Sequence, residues 1–178
     1  MKVTVITGSP HKKGTSALLA DKFIAGSIDA GHNVYRFDAA FENVKPCLAC
    51  EYCASHESEC VHKDSMNSLN EKLLESDMVV FVIPIYYYTM SAQIKAVLDR
   101  FHAKNAKLSG NKKAMLLATA YGSDDGTFEG TQKTYEAMLR FLDWENSGIL
   151  FAKGCPAREV LETTDYPQQA YEMGKSIE

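Results

Sequence analysis

The sequence lacks several features that mark specialised classes of protein. It has no basic excess, because 19 Lys and Arg stand against 23 Asp and Glu and the formal net charge is −4. A protein whose main partner is a nucleic acid needs a basic face, and this charge balance argues against such a partner. Glycine and proline, at 11 and 5 of 178 residues, are too few for a collagen-like or disordered chain.

Long apolar segments are also missing. The longest stretch without a charged residue is Met78 to Ile94, and it contains Pro84, three tyrosines and several polar side chains. A membrane-spanning helix needs about 20 predominantly apolar residues, so the sequence predicts no membrane span. No secretory signal pattern stands before the first glycine, Gly8. Together these absences predict a soluble protein of the cytoplasm.

The sequence does contain a regular alternation of apolar strands and amphipathic helices. Strands are predicted at Lys2–Thr7, Asn33–Phe37, Met78–Ile83, Lys113–Ala120 and Gly148–Ala152. A series of βα units folds as a parallel sheet with helices on both faces. The number of strands and the chain length favour a flavodoxin-like order, 2-1-3-4-5, in a single domain over residues 1–178.

The helices follow the same alternation. The first is predicted over Ser16–Ala30, and the second begins after a cap at Asp64 or Ser65. The fourth ends near Trp144, which is expected to pack in the core, and the closing helix covers Pro167–Ile177.

The loop between the first strand and the first helix has the composition of an anion site. Gly8–Ser16 supplies glycines, hydroxyls and two lysines at a helix N-terminus, where free N–H groups and the helix dipole attract negative charge. It is not a dinucleotide fingerprint, because Pro10 replaces the second glycine, and not a Walker loop, because no lysine directly follows Gly14. The loop therefore predicts a site for a phosphomonoester. A solvated loop with a helix cap is the alternative.

Two further loops follow strands at the same edge of the predicted sheet, where open α/β sheets bind ligands. Pro84–Ser91 contains three consecutive tyrosines, which suit stacking against a flat ring. The alternative is that these tyrosines cover the sheet edge or a subunit contact. Ala120–Gly126 is polar, and Gly122 allows its backbone to approach a heterocycle closely. Asp124 and Asp125 are equally consistent with a solvated turn and a helix cap.

A cysteine-rich loop at about residues 40–62 interrupts the alternation. It contains four of the five cysteines, Cys47, Cys50, Cys53 and Cys60. The cluster is too compact for a usual zinc ribbon, whereas three thiolates at two-residue gaps with a fourth nearby resemble the ligands of a [4Fe–4S] cluster. Zinc binding and a metal-free set of reactive thiols stay open as alternatives. Cys155 is remote in sequence and is expected to be a buried thiol.

The chain resembles the NADPH-dependent FMN reductase family of flavodoxin-like flavoproteins over nearly its whole length. Three segments carry the likeness: Gly8–Ser16, Pro84–Tyr87, and Lys95 followed by Asp99-Arg100. The resemblance implies that the FMN phosphate is bound by Ser9, Lys12, Gly14, Thr15 and Ser16. It implies that the isoalloxazine ring is lined by Pro84, Ile85, Tyr86, Tyr87, Tyr88, Ala120, Tyr121 and Gly122. The sequence departs from the family pattern at His11, where Arg is common, and at Thr15, where Asn is common.

The resemblance also implies a function, an NAD(P)H-dependent oxidoreductase that passes hydride to FMN and electrons onward to small-molecule acceptors. No catalytic side chain is expected, because the flavin supplies the chemistry. The cysteine spacing is similar to that of iron–sulfur flavoproteins, a branch of the same group. That likeness leaves open an electron carrier with a ferredoxin-like protein partner, and a non-catalytic redox or metal sensor is a second alternative. Family members are commonly dimers or larger, so a homo-oligomer is expected.

Overall fold

A central sheet of parallel strands organises the protein, which a computed structural model describes over residues 1–178. Its strands are β1 (Lys2–Thr7), β2 (Asn33–Asp38), β3 (Met78–Tyr86), β4 (Thr89–Met90), β5 (Lys112–Thr119) and β6 (Trp144–Ala152). The parallel strands lie in the order β2-β1-β3-β5-β6, and the short β4 pairs antiparallel with the end of β3. This is the flavodoxin-like order predicted from the sequence, with the β3–β4 hairpin added.

Helices cover both faces of this sheet. They are α1 (Thr15–Asp29), α2 (Tyr52–Ser55), α3 (Met66–Glu75), α4 (Ala92–Arg100), α5 (Asn105–Leu108), α6 (Gly126–Leu142), α7 (Arg158–Glu162) and α8 (Tyr166–Lys175), with a 3₁₀ turn at Phe101–Lys104. Apolar residues of α1, α7 and α8 pack in one core, and those of α3, α4 and α6 pack in the other. None of these helices combines the length and the apolar composition that a membrane span requires.

Strand β3 shows why the sheet is covered on both sides. Its residues alternate between the two cores: Val79, Phe81 and Ile83 lie in one, and Met78, Val80 and Val82 lie in the other. Successive side chains of a strand point to opposite faces, so a continuous apolar run can be buried only between two layers of helices. The apolar run therefore predicted the position of β3 at the centre of the sheet.

The last parallel strand begins earlier than predicted. Trp144 is the first residue of β6 and does not end the preceding helix. Helix α6 stops at Leu142 because Asp143 adopts a left-handed conformation, φ 54°, which turns the chain directly into the strand. Trp144 still packs in the core as predicted, and its indole N–H donates to the Leu108 carbonyl oxygen at 2.6 Å.

Helices α1 and α8 approach each other closely through two glycines. A Cβ atom on Gly26 would lie 2.0 Å from the Tyr171 carbonyl oxygen, and one on Gly174 would lie 2.0 Å from the Phe23 carbonyl oxygen. Both contacts are with backbone atoms of the opposite helix, which cannot rotate away as a side chain can. The two glycines therefore set the distance between the helices.

We expect Gly174→Ala to destabilise the protein through this contact. Overpacking costs about 1–3 kcal/mol and sometimes more, while alanine returns about 1 kcal/mol of helix propensity. Because the clash is with backbone, we expect the upper end of this cost and a net loss of about 2 kcal/mol, which lowers the Tm by roughly 4–8 °C in a chain of this size. Differential scanning calorimetry would measure this change.

Gly126→Ala is the matched control, because its Cβ would meet only a flexible carboxylate, that of Asp124, at 3.1 Å. Its Tm should stay within a few degrees of the unsubstituted protein. Equal Tm values for Gly174→Ala and the control would show that α1 and α8 can separate freely.

Candidate functional site

A cleft of about 740 Å³ lies at the edge of the sheet where the parallel strands end. Its wall is formed by four segments, Ser9–Thr15, Pro84–Tyr86, Thr119–Tyr121 and Cys155–Glu159. Each segment follows or completes a different strand, β1, β3, β5 or β6. The volume is within the range of about 300–1,000 Å³ that is usual for small-molecule sites. The structure thus brings all three predicted loops together and adds a fourth.

The start of α1 offers free hydrogen-bond donors to this cleft. Gly14 is the N-cap residue, no side chain caps the helix, and its first turn contains no acidic residue. The first N–H groups of a helix have no partner within the helix, so those of Thr15 and Ser16 remain available. Uncapped N–H groups at the positive end of a helix dipole fit a phosphate group.

Two hydroxyl side chains are held beside these donors. Ser9 Oγ accepts a hydrogen bond from the His11 N–H at 3.1 Å. Thr15 Oγ1 lies 2.9 Å from Thr119 Oγ1, which connects the start of α1 to the end of β5. Both hydroxyls line the cleft, whereas Ser16 does not, and its buried Oγ has no partner. Thr119 completes this part of the wall, although the sequence patterns did not single it out.

Positive charge is concentrated on the same side of the cleft. Lys12 and Lys13 line it together with His11, which occupies the position where the family commonly has Arg. The Lys12 ammonium lies 4.8 Å from the centre of the Phe41 ring, a cation–π contact that places it beside the loop after β2. The lysines can therefore supply the charge that an arginine would bring.

The tyrosine segment is divided by the β3–β4 hairpin. Pro84, Ile85 and Tyr86 line the cleft, but Tyr87 and Tyr88 form the hairpin turn and lie outside its wall. Both have positive φ angles, 48° and 64°, as a two-residue hairpin turn requires, and Tyr87 is 99% exposed. The sequence-based assignment of Tyr87 and Tyr88 to the ring site is therefore not reproduced by the geometry of the cleft.

The loop after β5 is similarly divided. Ala120 and Tyr121 line the cleft, whereas Gly122 does not. A Cβ on Gly122 would lie 2.4 Å from Thr127 Oγ1, so this glycine permits close packing against α6. Asp124 accepts hydrogen bonds from the Thr127 N–H and hydroxyl at 3.1 and 2.8 Å, and these bonds lower the pKa of its carboxyl group. Asp124 thus accepts an N–H from the first turn of α6, beside the N-cap residue Asp125, which is the capping role that the sequence allowed as an alternative.

The fourth wall segment was missed at the level of sequence. Cys155 is almost completely buried, its N–H donates to the Ala120 carbonyl oxygen at 2.8 Å, and burial raises the pKa of its thiol. Arg158 and Glu159 add charge to this side of the cleft. The position of the segment after the last parallel strand was the available signal, because ligands bind outside the carboxyl ends of such strands.

A second concave feature, which we call the cysteine hollow, is formed by the loop between β2 and α3 together with the end of α4 and the 3₁₀ turn that follows it. It is lined by Cys47–Cys53, Cys60–His62, Asp99, Arg100, His102 and Ala103. The structure therefore brings the four predicted cysteines around one hollow. Its volume is about 20 Å³, which is about the space of one water molecule. No three His, Cys, Asp or Glu side chains are grouped closely enough to hold a metal ion, so the loop would have to open to admit a cluster.

A buried ion pair closes the neck of the cysteine-rich loop. The Arg100 and Asp64 side chains are each 1% exposed and lie 2.8 Å apart, Nη1 to Oδ2. Arg100 also donates to the Lys45 carbonyl oxygen at 2.8 Å, and the Lys45 N–H donates to Asp64 at 3.1 Å. Lys45 precedes the first cysteine of the cluster, and Asp64 follows the last. The pair therefore fastens both ends of the loop to the end of α4.

The donor chemistry of the hollow fits an iron–sulfur cluster. All four cysteines line the hollow, and soft thiolate ligands are typical of such clusters. Arg100, in the same wall, has a buried Nε–H without a hydrogen-bond partner. A buried donor of this kind is matched by an acceptor, and thiolate or sulfide sulfur can be one.

Fold and cleft together define a flavodoxin-like α/β protein with a cleft at the carboxyl edge of its sheet. The family model for NADPH-dependent FMN reductase matches residues 1–144. The chain therefore belongs to the NADPH-dependent FMN reductase family, as its motifs predicted.

Individual relatives and structures support this placement. An iron–sulfur flavoprotein from Methanosarcina thermophila is 33% identical over 151 residues, which cover 81% of this chain and 72% of the relative. One from Methanocaldococcus jannaschii is 31% identical over 130 residues and 71% of this chain. The solved structure of an NAD(P)H:quinone oxidoreductase from Methanothermobacter marburgensis superposes with a TM-score of 0.77, at 19% identity, covering 99% of this chain and 95% of that chain.

The match to several iron–sulfur flavoproteins is partial. In three of these curated relatives the chain spans 65%, 45% and 49% of the relative's length. The similarity to the solved structure is below 25% identity and so establishes the fold alone.

Proposed function

We propose that this protein binds FMN in the cleft and catalyses the transfer of reducing equivalents from NAD(P)H to small-molecule acceptors. The observation that supports this function best is the uncapped start of α1, which opens into a cleft of about 740 Å³ beside hydroxyl and ammonium groups. A flavin with a single terminal phosphate matches that combination. A homo-oligomer and a cytoplasmic location stay predictions from the sequence.

Different residues of the cleft would bind the phosphate and the ring of FMN. The N–H groups at the start of α1 and the hydroxyls of Ser9 and Thr15 would hold the phosphate, and Lys12 would balance its charge. Pro84–Tyr86 and Ala120–Tyr121 would line the ring from two sides and exclude water from it. FMN, when bound, accepts hydride from the nicotinamide ring. We assign no catalytic acid or base.

Flavin binding and reduction test this function directly. Protein freed of bound flavin should quench the fluorescence of added FMN at a ratio of about one per chain, as expected for one cleft of this size. Under anaerobic conditions, NADPH or NADH alone should then bleach the flavin absorbance. A protein that retains no FMN in the presence of excess cofactor would contradict the proposal and favour the non-catalytic sensor.

The cysteine hollow favours a second candidate function, that of an iron–sulfur flavoprotein which passes electrons singly to a ferredoxin-like protein. The supporting observation is the convergence of Cys47, Cys50, Cys53 and Cys60 on one hollow beside a buried cation. An iron–sulfur cluster close to FMN would suit the transfer of electrons one at a time. In this version the physiological acceptor is a protein.

Metal content separates this candidate from the simpler reductase. Protein purified without oxygen should contain about four irons and as many sulfides per chain if the thiols hold a [4Fe–4S] cluster. Cys50→Ser should lose most of this iron, whereas Cys155→Ser, the matched control in the cleft, should keep it. Zinc in place of iron, or no metal in the unsubstituted protein, would contradict the cluster.

A further inference from the structure

Arg100 is the largest fully buried side chain of the protein. It lies at the end of α4, and its guanidinium is held on one side by Asp64 and the Lys45 carbonyl oxygen. Its Nε–H is buried and has no partner. An ion pair that only closed a loop would be expected to satisfy all of its buried donors, because an unsatisfied one is costly.

The two members of this ion pair face different surroundings. Arg100 lines the cysteine hollow, whereas Asp64 does not. The carboxylate of Asp64 accepts hydrogen bonds from the guanidinium and from the N–H groups of Lys45 and Met66. Of this pair, only the positively charged member lines the hollow, whose wall also contains Glu51 and Asp99.

Arg100 and the four cysteines share the wall of one hollow. The unpartnered Nε–H of Arg100 is therefore a buried donor in the same wall as the thiols. A fixed cation beside a site favours any state of the site that carries more negative charge.

We propose that Arg100 is a positioning residue of the cysteine hollow, which offers its free Nε–H and its charge to an anionic group held by the four cysteines and favours the reduced state of that group. The inference rests on the proposed iron–sulfur cluster. Reduction adds one electron, which FMN reduced by NAD(P)H supplies, and no bond forms or breaks. Arg100 would make this electron transfer more favourable by compensating the added negative charge.

The test is the reduction potential of the cluster in protein purified without oxygen. Replacing Arg100 alone would leave Asp64 buried without a partner, so the main variant is Arg100→Gln combined with Asp64→Asn, which removes both charges and keeps amide hydrogen bonding. We expect the equilibrium constant for one-electron reduction to fall at least tenfold, a shift of at least about 59 mV toward negative potential. Arg100→Lys, which keeps the charge, should shift less.

A surface pair provides the matched control. Arg36→Gln with Asp21→Asn also removes one charge of each sign, from a pair that lies 2.6 Å apart outside the hollow. Its potential should equal that of the unsubstituted protein. Absorption spectra and iron content, measured on the same samples, show whether each variant still holds flavin and cluster.

Each other outcome is decisive. An unchanged potential in the double variant at full iron content would overturn the inference and leave Arg100 as a loop clamp only. Loss of iron from the double variant but not from Arg100→Lys would support it, because Arg100→Lys keeps the positive charge beside the hollow; loss from both would overturn it. An unsubstituted protein that binds FMN but no iron would remove the cluster and this inference together, while leaving the reductase function intact.

Discussion

Asp64→Asn is expected to destabilise the protein by about 3–5 kcal/mol, because it leaves the guanidinium of Arg100 buried without its counter-charge. The cost is large for two reasons. Both side chains are 1% exposed, so water cannot replace the lost partner. The same carboxylate also accepts the N–H groups of Lys45 and Met66, so the start of α3 and the neck of the cysteine-rich loop weaken together.

The pH dependence of stability provides an independent check of this prediction. Burial disfavours the charged form of Asp64, but hydrogen bonds from Arg100 and from the backbone of Lys45 and Met66 outweigh burial and hold the pKa below its ordinary value. A lowered folded-state pKa gives stability that is present above the unfolded-state value, about 3.9, and is lost as the pH falls through the folded-state value. Asp64→Asn should therefore show a shallower loss of stability below about pH 4 than the unsubstituted protein.

Urea unfolding at pH 7 and at intervals down to pH 3 would measure both effects. Asp21→Asn is the control, since its carboxylate is half exposed and pairs with Arg36 at the surface. Exposed pairs contribute about 0–1 kcal/mol, so this control should change little. If the two variants had equal midpoints at pH 7, the buried pair would contribute no more than a surface pair.

The combined substitution of Ser9→Ala and Thr15→Ala should weaken FMN binding at least tenfold. Hydrogen bonds to a charged group contribute about 1.5–3 kcal/mol each, and every 1.4 kcal/mol is a factor of ten in affinity. The loss stays below the full sum of the two bonds because the N–H groups at the start of α1 remain. Thr15 also loses its contact with Thr119 Oγ1, so the position of α1 against β5 is less well defined.

Isothermal titration of flavin-free protein with FMN measures this loss. Riboflavin, which lacks the phosphate, should bind the double variant and the unsubstituted protein equally well, so the comparison locates the effect at the phosphate. Ser109→Ala with Thr134→Ala removes the same pair of hydroxyl types from exposed positions outside the cleft and is the control. An unchanged FMN affinity in the Ser9 and Thr15 variant would mean that the phosphate lies elsewhere.

The central architecture was predictable because it depends on local patterns. Continuously buried runs of apolar residues, such as Met78–Ile83, need two covering layers, and that need favours a parallel sheet. The composition of the loop around Gly14 predicted free N–H groups at the start of a helix, and in the structure no side chain caps α1. These features depend on residues that are close together in the chain.

Features that depend on contacts between distant segments could not be predicted from such local patterns. In the hairpin turn, Tyr87 and Tyr88 both have positive φ angles, which tyrosine rarely adopts. The turn also lies close to α6, where a Cβ on Gly130 would be 2.7 Å from the Tyr88 carbonyl oxygen. The wall segment at Cys155 borders the cleft only because β6 lies beside β5. The sequence does not contain the first relation, and for the second it contains only the position of the segment after the last parallel strand.

By itself, then, the sequence determined the order of strands, the loops at their carboxyl ends and the concentration of thiols in one segment, because hydrophobic periodicity and loop composition are properties of the chain. Only the tertiary structure decided which tyrosines reach the cleft. It alone paired Arg100 with Asp64, 36 residues away. The pair is important because both charges are buried, and a buried charge is costly unless a counter-charge lies next to it. That counter-charge can come from any position in the sequence, so only the tertiary structure identifies it.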